Sequence, residues 1–117
     1  MTLDQFRQYC LAKSGATEET PFGEDTLVFK VKGKIFAITD LSRFEGVNLK
    51  VDPEQGMELK ERYPSVHPGY HMNKKHWVTV LMAGKLKDFL VKKMIDGSYG
   101  LVRSKLTKRD RSITDGN

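Results

Sequence analysis

The chain lacks the features of a secreted or membrane-embedded protein. It contains a single cysteine among 117 residues, so it cannot form an internal disulfide, and a reducing cytoplasm is the expected compartment. No apolar run approaches the roughly 20 residues that cross a bilayer. The opening residues also lack the basic and apolar regions of a secretory signal. We therefore predict a soluble, cytoplasmic protein that does not engage a membrane.

Metal-binding patterns are also scarce. Three histidines, His67, His71 and His76, fall within one short stretch, but Pro68 and Gly69 prevent a helix from placing them on one face. In a strand, four residues span about 13 Å, which is too far for two side chains to share an ion. No cysteine or acidic residue lies between these histidines to complete a ligand set. We therefore predict a loop whose histidines form hydrogen bonds or meet solvent, without a metal.

Arrangements typical of an enzyme are missing as well. Cys10 falls on the apolar stripe of a predicted helix, where a buried, unreactive thiol is the usual outcome. Gly33, between two lysines, lacks the spacing of a phosphate-binding loop and indicates a hairpin turn. The paired acids that follow the first helix have no evident apolar pocket for general acid–base work. We predict no enzymatic activity and no cofactor, although a deep pocket lined by His67, His71 and Tyr70 would favour a small-ligand binder.

Acidic side chains are rare in the second half of the chain. Residues 1–63 carry nine Lys or Arg against eleven Asp or Glu, a net charge of −2. Residues 64–117 carry eleven against four, a net charge of +7, and the two halves sum to the overall +5. A field this uneven attracts polyanions such as DNA, RNA, anionic membranes or acidic proteins. The alternative is a basic surface that serves solubility alone.

The positive charge falls into local clusters. Lys74 and Lys75 lead into Trp77, and lysines beside aromatic rings can contact phosphates and bases, although a tryptophan in a strand is more commonly a core residue. A second cluster covers the last helix and tail, and it can also complement a helix dipole. No recognition-helix signature predicts base-specific contacts. The candidate phosphate-contacting residues are Lys30, Lys32, Lys34, Lys74, Lys75, Arg103, Lys105, Lys108, Arg109 and Arg111.

Periodicity and turn signals predict one α+β domain over residues 1–117. Thr2 and Gln5 form a capping-box pattern, and Asp52-Pro53 is a strong helix start. The predicted helices span about 3–14, 53–63, 85–95 and 98–106, and the predicted strands about 26–31, 34–40, 47–51 and 76–82. Because hairpins join the strands, we expect a two-layer fold, with an antiparallel sheet and helices on one face.

The C-terminal part carries the more detailed predictions. Asp96-Gly97 is expected to break a helix, and Ser98 to cap the next one. Residues 107–117 are expected to form a flexible polar tail. The predicted inward side chains of the two C-terminal helices are Leu86, Phe89, Leu90 and Met94, followed by Tyr99, Val102 and Leu106.

These motifs, taken together, resemble the MmcQ/YjbR family. Each alone is weakly specific, but their order matches over nearly the whole chain. The motifs are Pro21-Phe22-Gly23, Phe29-Lys30-Val31, Gly33-Lys34-Ile35-Phe36-Ala37, Leu49-Lys50-Val51, Pro68-Gly69-Tyr70-His71-Met72-Asn73-Lys74, Trp77, Ser98-Tyr99 and Leu101-Val102. The resemblance implies a compact α+β domain similar to secretion chaperones.

The resemblance also implies a function. The family is described as DNA-binding by a double-wing arrangement, in which hairpins project toward a duplex. On this chain the hairpin of residues 30–34 would be one wing, and the loop ending in Lys74 and Lys75 the neighbouring contact, with little sequence preference. No enzymatic activity or cofactor transfers from the family. The alternative is a protein-interaction module like the secretion chaperones, which would use an exposed apolar sheet face or edge that includes Tyr70 and Met72.

Overall fold

Four helices and six strands make up the part of the chain that the structure describes. A computed structural model describes residues 1–115. In chain order the elements are α1 (Leu3–Leu11), β1 (Ala16–Glu19), β2 (Thr26–Val31), β3 (Lys34–Asp40), β4 (Gly46–Lys50), α2 (Pro53–Arg62), β5 (Val66–Pro68), β6 (Trp77–Leu81), α3 (Asp88–Ser104) and α4 (Lys108–Asp115). The strands form one sheet in the order β1-β2-β3-β4-β6-β5. Every neighbouring pair is antiparallel, which confirms the predicted fold class.

The core lies between one face of the sheet and the helices. Leu27, Phe29 and Val31 alternate along β2 and are all buried, as is Leu49 on β4. Phe6 of α1 meets Phe29 edge to face, with ring centroids 5.5 Å apart, which is a favourable geometry for an aromatic pair. The helices therefore cover the face to which these alternating apolar side chains point.

The central hairpin has the strand boundaries that the sequence predicts. β2 ends at Val31, opposite Lys34 at the start of β3. Lys32 and Gly33 form the turn with φ values of 49° and 79°. Two-residue hairpin turns use this left-handed region because it matches the twist of the strands, and glycine adopts it without steric cost.

The predicted helix break at Asp96-Gly97 is wrong, because α3 continues through it to Ser104. Glycine inside a helix costs about 1 kcal/mol relative to alanine, and the burial of one continuous helical face offsets that cost. Ser98 consequently lies within α3 and caps no helix. The buried residues of this face are Val91, Met94, Ile95, Ser98 and Val102.

The predicted inward side chains of α3 are partly wrong. Phe89 is 63% exposed, because at 3.6 residues per turn it lies on the side of α3 opposite Val91, which is buried. Leu86 precedes the helix and, like Leu90, is only partly buried. The prediction is correct for the more C-terminal set, in which Met94, Val102 and Leu106 are buried, and Tyr99 is partly buried.

The first edge strand and a last helix were missed, whereas a short extended piece within residues 64–76 was left open and is observed as β5. β1 is polar, and β5 has only three residues and ends in proline, so neither shows an apolar run. Residues 108–115, predicted to be a flexible tail, form α4. Thr114 is buried there, and its carbonyl accepts a hydrogen bond from the Ser14 hydroxyl. Residues 116 and 117 of the predicted tail lie outside the described residues. Within residues 1–115, no helix is long and apolar enough to cross a bilayer.

Candidate functional site

A cavity of about 330 Å³ opens at one end of the sheet. Antiparallel pairing brings the β2–β3 turn, the end of β4 and the start of β6 to this same end. The last turn of α3 closes the cavity from the helical layer. We call this cavity the basic cleft, and its lining residues are Lys34, Ile35, Lys50, Trp77, Val102 and Lys105.

Ser98 explains why the sheet is interrupted beside the cleft. The paired residues of β3 and β4 end at Ala37 and Leu49. One residue further along, the Lys50 N–H donates to the Ser98 hydroxyl at 2.8 Å, and that hydroxyl donates to the Phe36 carbonyl at 2.5 Å. A fully buried side chain thus bridges two backbone groups that a continuous ladder would join directly. Both groups stay satisfied, as buried polar groups require.

Like charges are gathered in the cleft. Burial lowers the pKa of Lys50, and the nearby charges of Lys105 and Lys34 lower it further. No carboxylate is among the lining residues, and within residues 1–115 none of the three lysines forms an ion pair. The Lys50 ammonium lies 5.9 Å from the centroid of the Trp77 ring, within cation–π range. The cleft is therefore an unneutralised cationic cavity with an aromatic wall.

Two of the predicted phosphate-contacting residues line the cleft, and three more lie in the turn and the loop that lead into its lining residues. Lys34 and Lys105 line it, although they are far apart in sequence. Lys32 is exposed in the adjoining turn, and Lys74 and Lys75 are exposed near the end of the loop that leads into β6.

The other predicted residues are engaged within the fold or lie on the C-terminal helices. The Lys30 ammonium pairs with the Glu19 carboxylate at 3.0 Å. The Arg111 guanidinium donates a hydrogen bond to the Ser104 carbonyl at 3.1 Å. Its positive charge therefore lies at the C-terminal end of α3, where it complements the helix dipole. The remaining members, on the last turn of α3 and the first turn of α4, are Arg103, Lys108 and Arg109.

Two cleft residues were missed or misjudged from the sequence. Lys50 was not a candidate, because it looked like an outward residue of a half-buried strand. Its position directly opposite Trp77 in the β4–β6 pairing becomes visible only once the two strands are known to be neighbours. Trp77 was expected in the core, but it is only partly buried and lines the cleft.

A second cavity, of about 310 Å³, lies on the sheet face that the helices leave open. Tyr70 and His71 fold over this face, and the Tyr70 N–H donates to the Thr79 hydroxyl at 3.0 Å. That hydroxyl in turn donates to the Asn48 side-chain carbonyl. His67 does not line this cavity, although its ring contacts Tyr70 at a centroid distance of 6.2 Å. The three-residue pocket that would favour a small-ligand binder is therefore only partly formed.

Metal and thiol chemistry find no support among the described residues. No group of three or more His, Cys, Asp or Glu side chains in residues 1–115 is arranged to hold a metal ion. Cys10 is buried, and burial raises the pKa of its thiol to about 12. The thiolate is the nucleophilic form of cysteine, and this environment disfavours it.

At the opposite end of the sheet, the carboxylate of Asp40 has its hydrogen-bond partners within the chain. Asp40, at the end of β3, accepts hydrogen bonds from the backbone N–H groups of Arg43, Phe44 and Glu45 at 2.7, 2.8 and 3.2 Å. Burial alone would raise the pKa of Asp40, but these hydrogen bonds together lower it. The positive φ of Phe44, 50°, fits the tight turn that the carboxylate organises.

The sequence is similar to a family model and to two proteins that are described as uncharacterized. A family model described as YjbR matches residues 11–101. The uncharacterized protein YbdF of Escherichia coli O157:H7 is 42% identical over 92 residues, which cover 78% of this chain and 75% of that protein. The uncharacterized protein YjbR of Escherichia coli K12 is 32% identical over 114 residues, covering 97% of each chain. These matches confirm the resemblance that the motifs predicted.

Solved structures share the fold. A crystal structure of Deinococcus radiodurans protein DR2400, with the family-model domain DUF419, superposes with a TM-score of 0.91 at 42% identity, covering 97% of this chain and 88% of that one. A Pseudomonas syringae protein superposes with a TM-score of 0.73 at 28% identity, covering 87% and 99%. Because the family model and both relatives span most of the sequence, the chain belongs to the YjbR family.

Proposed function

We propose that this protein binds DNA through its phosphates at the basic end of the sheet, without catalysis and with little sequence preference. The observation that carries the proposal is the convergence of Lys34, Lys50 and Lys105 in a cavity without a carboxylate. Gathering like charges is unfavourable in the free protein, and a bound phosphate would relieve the repulsion. Lysine ammonium groups that neutralise phosphates supply most of the non-specific affinity for DNA.

The surroundings of the cleft support an extended phosphate contact. Lys32 in the hairpin turn and Lys74 and Lys75 in the adjoining loop add exposed positive charge beside the cavity. Lys30 and Arg111 are expected to contribute less, because Glu19 and the Ser104 carbonyl already engage them. The proposed contact surface is thus centred on the cleft and weaker toward the C-terminal helix.

A salt titration tests the proposal. Binding of fluorescently labelled duplex DNA would be measured by anisotropy between about 50 and 200 mM salt. The affinity should fall by about 0.9 log units per tenfold rise in salt for each phosphate neutralised, so that three cleft lysines give a slope of about −2.7 or steeper. A folded protein that binds neither duplex nor single-stranded DNA at the lowest salt concentration contradicts the proposal.

A matched pair of double variants assigns the binding to the cleft. Lys34→Gln with Lys105→Gln should reduce the slope by about two phosphate contacts and weaken binding. Lys85→Gln with Lys87→Gln makes the same charge change beyond the opposite end of β6, where both lysines are exposed. In this control variant, the slope of log affinity against log salt should differ from that of the wild type by less than the roughly 0.9 that one phosphate contact contributes. Equal losses in both double variants would mean that the net charge matters and the cleft does not.

A protein-interaction role is the second candidate, and an apolar groove favours it. Leu81, Leu86 and Leu90 line a groove of about 570 Å³ between α2 and the loop before α3. Such a groove could receive an apolar side chain of a partner protein. This second candidate predicts a complex with a partner protein that persists at high salt, whereas the DNA complex should dissociate there. Leu90→Lys should abolish that complex without changing the DNA affinity, and an unchanged partner affinity in this variant would exclude the groove.

A further inference from the structure

We propose that the basic cleft receives one unpaired nucleotide, with its phosphate at the lysine ammonium groups and its base against Trp77. This inference rests on the proposed DNA binding and names the form of the ligand: an unpaired strand and not an intact duplex. It assigns different roles to the cleft and to the surrounding lysines. The cleft selects the unpaired nucleotide, while Lys32, Lys74 and Lys75 contact the phosphates that flank it.

The size of the cleft suits a single nucleotide unit. Its volume of about 330 Å³ lies at the lower end of the range for small-molecule sites, about 300–1,000 Å³. The walls bring together a cationic part, from three lysines, and an apolar part, from Ile35, Val102 and the Trp77 ring. A nucleotide has the same two parts, an anionic phosphate and a flat, largely apolar base face.

Trp77 is the residue that distinguishes unpaired from paired strands. Bases in a duplex are stacked on one another and offer a protein only their edges, whereas an unpaired base can stack on an aromatic ring. Such stacking contributes about 1–3 kcal/mol per base. The Trp77 side chain is partly exposed in the cleft wall. A simple phosphate site would need the lysines but would have no use for the ring.

The backbone that carries Trp77 is held by its neighbours. The Gly69 N–H donates to the Trp77 carbonyl at 3.1 Å, and the Val51 N–H donates to the carbonyl of the preceding His76 at 2.8 Å. A side chain at Gly69 would come within 2.8 Å of the Trp77 Cβ, so the glycine lets the loop pass close beside it. The backbone and Cβ from which the ring projects are therefore held in place, which reduces the backbone entropy lost on binding.

The intrinsic fluorescence of the protein reports on the cleft directly, because Trp77 is the only tryptophan. A short oligothymidylate, a blunt duplex with the same number of phosphates, thymidine monophosphate and inorganic phosphate would each be titrated at low salt. We expect the oligothymidylate to quench the fluorescence and to bind at least tenfold more tightly than the duplex. We expect the mononucleotide and inorganic phosphate to bind at least a hundredfold more weakly than the strand.

Variants of Trp77 and Lys50 separate the contribution of the aromatic ring to strand affinity from that of the positive charge. The affinity is measured by the anisotropy of a labelled strand. Trp77→Leu should weaken strand binding at least fivefold and leave duplex binding unchanged, whereas Trp77→Phe should retain most of the affinity. Lys50→Met should weaken strand binding at least fivefold, whereas Lys85→Met, its matched control, should change it by less than twofold. Thermal melts establish that each variant is folded, and the wild-type titration decides the question if Trp77→Leu is not.

The outcomes distinguish this inference from the proposed function on which it rests. Duplex binding as tight as strand binding, without quenching, overturns the unpaired nucleotide and leaves DNA binding intact. Mononucleotide binding as tight as that of the strand shows a site for free nucleotides and overturns the assignment to a strand. No binding of either DNA form by the folded protein at low salt overturns the proposed function itself.

Discussion

The two ends of the sheet use charge in opposite ways. At the β3–β4 turn, the Asp40 carboxylate accepts hydrogen bonds from three backbone N–H groups, and its charge stabilises the turn. In the basic cleft at the other end, Lys50 faces Lys34 and Lys105, and no carboxylate lines the cavity. A charge that stabilises the fold has its partner within the chain. The cleft charges have no such partner within residues 1–115, and this difference identifies the cleft as the candidate binding region.

The largest expected effect concerns Ser98, which holds the strands beside the cleft. Ser98→Ala removes the group that satisfies the Lys50 N–H and the Phe36 carbonyl. Each of these two groups costs about 1–3 kcal/mol when it is left buried without a partner, so the free energy of unfolding should fall by about 2–6 kcal/mol in urea titrations. Ser104→Ala, on the exposed part of the same helix, is the control and should change it by less than about 0.5 kcal/mol. A neutral Ser98→Ala would mean that β3 and β4 can pair directly there.

The Asp40 turn should show an intermediate loss that depends on pH. Asp40→Ala should lower the free energy of unfolding by about 1–2 kcal/mol at neutral pH, as the loss of a capping carboxylate does. Because the pKa of Asp40 is lowered in the folded state, its contribution is present above the ordinary Asp range and is lost as the pH falls through the folded-state value. The difference between wild type and variant should therefore narrow below about pH 4.

Two measurements check the interpretation of the Asp40 turn. Asp25→Ala, an exposed carboxylate near the same end of the sheet, should have little effect on stability at any pH. DNA affinity in Asp40→Ala should match the wild type once the protein is folded. A loss of DNA binding in this variant would contradict the separation of the two ends into a folding role and a binding role.

The smallest expected effect has the opposite sign. The pKa of Lys50 is lowered in the folded state, so protonation of Lys50 is less favourable when folded, and its charge costs stability below the folded-state pKa. Lys50→Met should therefore raise the free energy of unfolding slightly at neutral pH, by up to about 1 kcal/mol, while it weakens DNA binding. At a pH above the ordinary lysine range the gain should vanish. A destabilised Lys50→Met would indicate a structural role for Lys50 and would contradict the charge argument.

Much of the fold could be predicted because its signals are local. The Lys32-Gly33 turn and the alternation on either side of it determine the central hairpin, and the sequence predicts both strands with their observed ends. Asp52 caps α2 as predicted, because its side chain accepts hydrogen bonds from the backbone N–H groups of Glu54 and Gln55. These features depend on dihedral preferences and capping groups within a few residues, so a local sequence pattern is enough to predict them.

The errors lie where distant contacts override local preference. Gly97 weakens a helix locally, yet α3 continues through it because its buried face packs on three central strands. The polar residues 108–115 form a helix whose Thr114 packs beside Gly15, nearly a hundred positions earlier in the chain. Neither contact can be predicted from the residues that neighbour Gly97 or Thr114 in the sequence.

The sequence by itself determined the α+β class, the central hairpin, the family and the excess of positive charge in the second half of the chain. Only the tertiary structure decided which charges meet. Lys34 lies on β3, Lys50 on β4 and Lys105 directly after α3, and antiparallel pairing and the length of α3 bring them to one end of the sheet. The physical reason is that electrostatic repulsion and ligand binding depend on distances in space, and these depend on strand order, which no local pattern specifies.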